Sequence, residues 1–275
     1  MSISVQNNSS ALLALQSLNR TNDQLSQVQD QISTGLLVGQ AKDNPTVWAT
    51  AKGQSIDIDG LTAVTTSLNR ASSISDTALS AGQSVIDLLN QLKQEALSGQ
   101  DSQLPTTARQ SLNTDFAGLL SRVATTISSA SFDGANLLDG SSGNLRFLAT
   151  ADATQMVTLP AKDLSLGGSI ITVASTATIS STSAASAVMA QIDASIANVT
   201  SALADIGDQS KLITAHGQLV VNLQNVLKTG MGALVDSNTE ADSARLAALQ
   251  VQQQLGEQSL NIANSMPNIL LSLFK

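Results

Sequence analysis

His216 is the one histidine in the 275-residue chain, so a two-histidine zinc site of the HExxH kind is impossible and His216 reads as a helix-surface or seam residue. Cysteine is absent, which removes disulfides, thiolate metal sites and cysteine nucleophiles. The run Asp236-Ser-Asn-Thr-Glu-Ala-Asp242 alternates oxygen ligands like the start of a calcium loop. However, Ala241 and Ala247 stand where an EF-hand needs its glycine and its bidentate glutamate. The run reads better as a helix start, with Asp or Asn side chains accepting from free backbone amides and Glu240 and Asp242 at the positive helix end. Asp57 and Asp59 are two residues apart on a helical stretch and face opposite sides, so they form no acid–base dyad. Trp48, the single tryptophan, follows Pro45 as a local packing anchor. No phosphate-binding glycine loop and no serine nucleophile elbow is present. The expectation is a protein that is not an enzyme, with no catalytic, metal or cofactor residues.

The charge balance narrows the partners further. Only 12% of residues are charged, the net charge is −8, and the basic residues are dispersed from Arg20 to Lys275. Phosphate contacts need a basic footprint, so no nucleic acid is expected, and anionic lipid would repel the chain. No apolar run reaches membrane-spanning length, so no membrane insertion is expected. The start, Met1-Ser-Ile-Ser-Val-Gln, lacks the basic and apolar regions of a cleaved secretion signal.

The elements that would position any site are mostly helical. Apolar residues make up 42% of the chain but aromatics only 2%, which suits long helices packed along their length. Residues 9–38 form an amphipathic pattern with Leu18, Leu25 and Ile32 at seven-residue spacing. Gly39 and Pro45 interrupt it. Helical spacing resumes over 46–99 through Leu61, Val64, Leu68, Ala71, Ala78, Val85 and Leu92, with Gly99 as a stop. A third helix, about 105–130, carries Leu112, Phe116, Leu119, Leu120, Val123 and Ile127. Residues 131–183 hold glycine turns, the strand-like runs Met156-Val-Thr-Leu and Ser169-Ile-Ile-Thr-Val, and a Ser/Thr-rich stretch at 175–183.

The last third has one column of apolar residues in steps of seven: Ala185, Ile192, Val199, Ile206, Ile213, Val220, Leu227, Leu234, Ala241, Ala248, Leu255, Ile262 and Ile269. At 42% apolar content, 13 such positions in a given column arise by chance about once in 10⁵, and about ten times more often once the best column is chosen. The column predicts a long, possibly interrupted helix packed along another, and hence an elongated molecule. The fold class expected is mainly α: an antiparallel helical bundle or coiled coil built from both ends, with a small β-rich insertion in the middle.

Several stretches resemble one family. Ser10-Ala-Leu-Leu-Ala-Leu-Gln-Ser-Leu-Asn-Arg-Thr-Asn, Gln31-Ile-Ser-Thr-Gly-Leu and Ala41-Lys-Asp-Asn-Pro look like the N-terminal region of bacterial flagellin. Phe132-Asp-Gly-Ala-Asn-Leu-Leu-Asp-Gly resembles a mid-chain motif of that family, and Ile262-Ala-Asn-Ser-Met-Pro-Asn-Ile-Leu-Leu-Ser-Leu resembles its ending. The resemblance implies a structural subunit that assembles with copies of itself into the flagellar filament for swimming motility. It further implies secretion through the flagellar channel without a cleaved signal peptide, and an export chaperone and cap and junction proteins as partners. In that plan 1–44 is the N-terminal helix of the inner filament domain and 234–275 the C-terminal one. Residues 45–140 and 184–233 are the two halves of the helical core domain, and 141–183 is a small exposed insertion. Leu18, Leu25, Ile32, Leu234, Ala248, Leu255, Ile262 and Ile269 then pack the filament. Ile192, Val199, Ile206, Ile213, Val220 and Leu227 form the core seam. The sequence departs from the family where Asn44-Pro45-Thr46 replaces an acidic and alanine-rich turn. It also departs where Gln91 and Gln94 stand in place of the Arg and Glu that innate immune receptors read. Two alternatives are a hook–filament junction protein and a flagellin-like cell-surface protein holding a carbohydrate, for which the middle segment offers few aromatics.

Overall fold

The computed structural model describes the backbone of residues 8–273 and the side chains of 8–265. Among these residues the order of elements is α1 (Ser9–Thr34), α2 (Pro45–Ser98), α3 (Thr106–Ser129), β1 (Ser131–Phe132), β2 (Ala135–Asn136), β3 (Leu145–Leu148), β4 (Met156–Leu159), α4 (Thr182–Val235) and α5 (Thr239–Leu273). Short polar side chains set the helix starts. Asn8 Oδ1 accepts from Ala11 N at 3.0 Å, and Asn44 Oδ1 accepts from Val47 N at 3.2 Å just ahead of Pro45. An Asn cap followed by proline at the first helical position satisfies one amide and removes another, which accounts for the departure Asn44-Pro45. Ser181 caps α4 by accepting from Ala184 N, and Asn238 caps α5 by accepting from Ala241 N, both at 3.1 Å. Helix ends are equally specified. Gly35 terminates α1 with φ +71°, a conformation glycine adopts without penalty. Arg109 donates to the carbonyls of Gly99 and Asp101 at 2.5 and 2.7 Å and so closes the end of α2.

The chain separates into two compact units, Met1–Ile56 with Val226–Lys275, and Asp57–Asn225. The boundaries expected after 44 and before 234 thus fall inside the first unit. That unit is the antiparallel pair α1–α5 together with the first turns of α2 and the last turns of α4. Leu36 and Asp236 form an antiparallel bridge, and Leu37 N donates to Val235 O at 2.7 Å. Beside the bridge Val38, Ala51 and Val235 make a small apolar cluster.

In the second unit one face each of α2, α3 and α4 is buried. Val64, Leu68, Ala71, Ala78, Val85, Leu89 and Leu92 come from α2, and Phe116, Leu120, Val123 and Ile127 from α3. From α4 come Ile192, Val199, Ile206, Ile213 and Val220. Gly82 lets α4 come close: a methyl placed there would stand 2.3 Å from Leu203 Cδ2.

The middle segment differs from its expectation in two ways. Met156–Leu159 is a strand, pairing with Leu145–Leu148. Ser169–Val173 is not a strand, because α4 takes up its backbone groups where a partner strand would have been. Thr172 N donates to Ser195 Oγ at 3.0 Å, and Asn198 Nδ2 donates to Ile170 O at 3.2 Å. Nor is 141–183 an exposed insertion. Phe147, Leu159, Leu164, Ile171, Val173 and Ile179 are all buried, and Ile179 N donates to Asn113 Oδ1 at 2.9 Å. The chain is strapped over the helices, with its apolar residues inward and its Ser and Thr outward.

Candidate assembly surfaces

No constellation for catalysis comes together among the described residues. His216 Nε2 lies 2.7 Å from Ala149 O and anchors the loop after β3. Asp152 and Asp163 have lowered pKa values. For Asp152 the cause is hydrogen bonds from Thr150 and then from Thr154; for Asp163 it is the hydroxyl and then the amide of Ser165. Both are turn-closing carboxylates. Among the described residues no three His, Asp or Glu side chains gather as a metal site, and no helix is long and apolar enough to cross a membrane. Asp236–Asp242 forms the start of α5, where Ser237 Oγ donates to Asp242 Oδ2.

The α1–α5 pair is built from heptad positions on both helices. Asn8 Nδ2 donates to Ala263 O at 2.7 Å, and Gln253 Nε2 donates to Asn22 Oδ1 at 2.9 Å. A methyl placed on Gly256 would stand 3.2 Å from Leu18 Cδ1. Leu18, Leu25 and Ile32 are half-buried on this side of α1, next to the fully buried Val28. On α5 the positions sharing the face of Gln253 and Gly256 are Leu246, Leu249, Leu260 and Ala263, of which Leu249 is buried and the rest half-buried. These residues also recur at seven-residue intervals. They escaped sequence reasoning because Gln253 and Gly256 interrupt an otherwise apolar pattern.

The column in steps of seven does not stay on one side. Ile192, Val199, Ile206, Ile213 and Val220 are buried, Leu227 is half-buried, and Leu234 is exposed. A straight helix drifts about 20° per heptad against a strict seven-residue repeat, so the six heptads from Ile192 to Leu234 accumulate about 120°. Past the break at 236–238 the column continues on the outside of α5, with Ala248 exposed, Leu255 62% exposed and Ile262 54% exposed. Ile269 lies outside the residues whose side chains are described. On α1, Leu12 and Leu13 are likewise 61% and 69% exposed. Both members of the pair therefore present large apolar side chains that their own chain leaves uncovered.

Long helices, a core of aliphatic side chains and open apolar faces define a mainly helical protein. Residues 5–143 match the family model of the bacterial flagellin N-terminal helical region, and residues 189–274 match that of the C-terminal helical region. Flagellin FljJ of Caulobacter vibrioides is 45% identical over 276 residues, covering 100% of this chain and 99% of that protein. A flagellin of Brucella melitensis is 31% identical over 281 residues, covering 99% of each. A crystal structure of Bacillus cereus flagellin matches with a TM-score of 0.49 at 18% identity, over 55% of this chain and 86% of that one. The chain belongs to the bacterial flagellin family and is a structural subunit of the flagellar filament. These likenesses give no support to the junction-protein or carbohydrate-binding alternatives.

Proposed function

We propose that the chain polymerises through the faces of α1 and α5 that the pair leaves open. Leu18, Leu25 and Ile32 hold α1 against α5 within one subunit. Leu234, Ala248, Leu255 and Ile262, with Ile269 beyond them, meet neighbouring subunits. The single observation that supports this most is the exposure of Leu255 and Ile262, spaced seven apart on a helix whose opposite face is already occupied by α1. A helix apolar on two faces needs two partners.

In this reading the unit Met1–Ile56 with Val226–Lys275 forms the inner filament domain and Asp57–Asn225 forms the helical core domain, whose seam is Ile192, Val199, Ile206, Ile213 and Val220, with Leu227 falling in the first unit. The filament lies outside the cell, reached through the flagellar export channel, with an export chaperone and cap and junction proteins as further partners. The chain acts without catalysis. Changing Leu255 and Ile262 together to Asp in the full chain tests the assembly faces. Folded monomer that no longer pellets as filament is the expected result, and unaltered pelleting refutes the assignment.

A further inference from the structure

The compact unit 57–225 carries two features that its own chain leaves unmatched. The first is a ridge. On α4, Leu212, Leu219 and Leu223 are 59%, 52% and 45% exposed. Offsets of seven and eleven residues keep all three within about 40° of one another on the helix, and the ridge runs for about 16 Å. It is distinct from the buried seam of Ile206, Ile213 and Val220 on the same helix. The second feature is a trough of about 860 Å³ between α2 and α3. Its lining includes Thr77, Ser121, Thr125 and Ser129 with the charged side chains of Asp76 and Arg122. The α3 side, from Ser121 to Ala130, is about 14 Å long, close to the length of the ridge. Its floor is small: threonine methyls and short hydroxyl side chains leave room for leucines, as a groove between helices receives a ridge from another.

We infer that the leucine ridge of one subunit seats in the α2–α3 trough of the next. This rests on the filament reading and specifies one of its contacts beyond α1 and α5. Charge supports a second copy of this chain as the occupant. Among the described residues Asp76 and Arg122 share the trough without an ion-pair partner. The ridge begins beside Asp208 and Lys211, which pair with each other at 3.2 Å in full view of solvent. On docking, that exposed pair exchanges partners: Asp208 meets Arg122, and Lys211 meets Asp76. The contact uses two different surfaces of one molecule, so each subunit offers a free ridge and a free trough. Such a heterologous contact generates an open helical array when the rotation does not close.

The absence of cysteine supplies a clean test. Full-length Leu219→Cys and Thr125→Cys subunits are mixed, polymerised and mildly oxidised, with Leu212→Cys and Ser121→Cys, at the end of the ridge beside Asp208 and Arg122, as a second pair. The expected result is a disulfide heterodimer in mixed filaments, absent from monomer and from filaments of either variant alone. A charge exchange gives an independent reading. Arg122→Glu should lower filament yield on the order of tenfold, and adding Asp208→Arg should restore it, with monomer circular dichroism unchanged throughout. Wild-type protein that never forms filaments overturns the filament reading itself. Filaments that assemble normally yet give no 219–125 cross-link, or give 219–219 instead, overturn the ridge–trough contact and leave the filament reading standing.

Discussion

Ile206 and Leu255 lie in the same column, seven heptads apart, yet the first is buried and the second exposed, and the proposed assembly gives them opposite roles. Truncating each to alanine separates those roles. Ile206 is fully buried between helices, so Ile206→Ala loses the transfer energy of its side chain and leaves a cavity, at a cost of about 3 kcal/mol. For a unit the size of Asp57–Asn225 each kcal/mol lowers the melting temperature by roughly 2–4 °C, so the expected fall is about 10 °C. Leu255 is 62% exposed, and Leu255→Ala should change monomer stability by less than about 0.5 kcal/mol. Scanning calorimetry on depolymerised protein measures both. Sedimentation after seeding measures the second effect: Leu255→Ala should raise the concentration needed for filament formation if, as proposed, neighbouring subunits cover its exposed side chain. Equal melting shifts for the two variants would refute the argument that helical drift carries the column from core to surface.

Three other outcomes follow from local geometry. Ala153 has φ +57°, where a side chain is strained, so Ala153→Gly should raise stability by up to about 1 kcal/mol in chemical denaturation. Asn238→Ala removes the cap of α5 and should cost about 1 kcal/mol, read as faster hydrogen exchange in the first turn of that helix. Asp152 and Asp163 titrate below the usual 3.8 in the folded chain, so their contribution is present at neutral pH and is lost as pH falls through those lowered values. Asp163→Asn should therefore flatten the acid limb of the stability profile below about pH 4, and an unchanged acid limb would contradict the assignment.

The helices were legible because their signals are local. Glycine and proline stops, Asn caps and runs such as Leu61-Val64-Leu68-Ala71 depend on residues within a few turns of one another. The filament character was legible from short motifs resembling those of the family. The strap over 160–180 was not. Ser169-Ile-Ile-Thr-Val reads as a strand because its apolar residues are β-branched, and only the distant Ser195 and Asn198 divert its backbone onto a helix. The faces of α1 and α5 were half legible. Leu18 and Leu25 announced a stripe, but which side meets the other helix is decided by Gly256 and Gln253, whose types carry no apolar signal. The column from Ala185 to Ile269 was visible in full, but a count in sevens cannot register a drift that only the straightness of the helix reveals.

The pairing of α1 with α5 also sets the timing of folding. The hydrogen bond from Asn8 to Ala263 joins residues 255 apart in the chain. Relative to a loop of about 16 residues that is roughly four doublings, or about 2.4 kcal/mol of additional closure entropy. The helices of 57–225 meet across shorter separations and can form while the C-terminus is still being synthesised. The paired ends cannot exist until the chain is nearly complete. The α1–α5 pair, which the proposed assembly uses to join subunits, is therefore the last part of each molecule to mature.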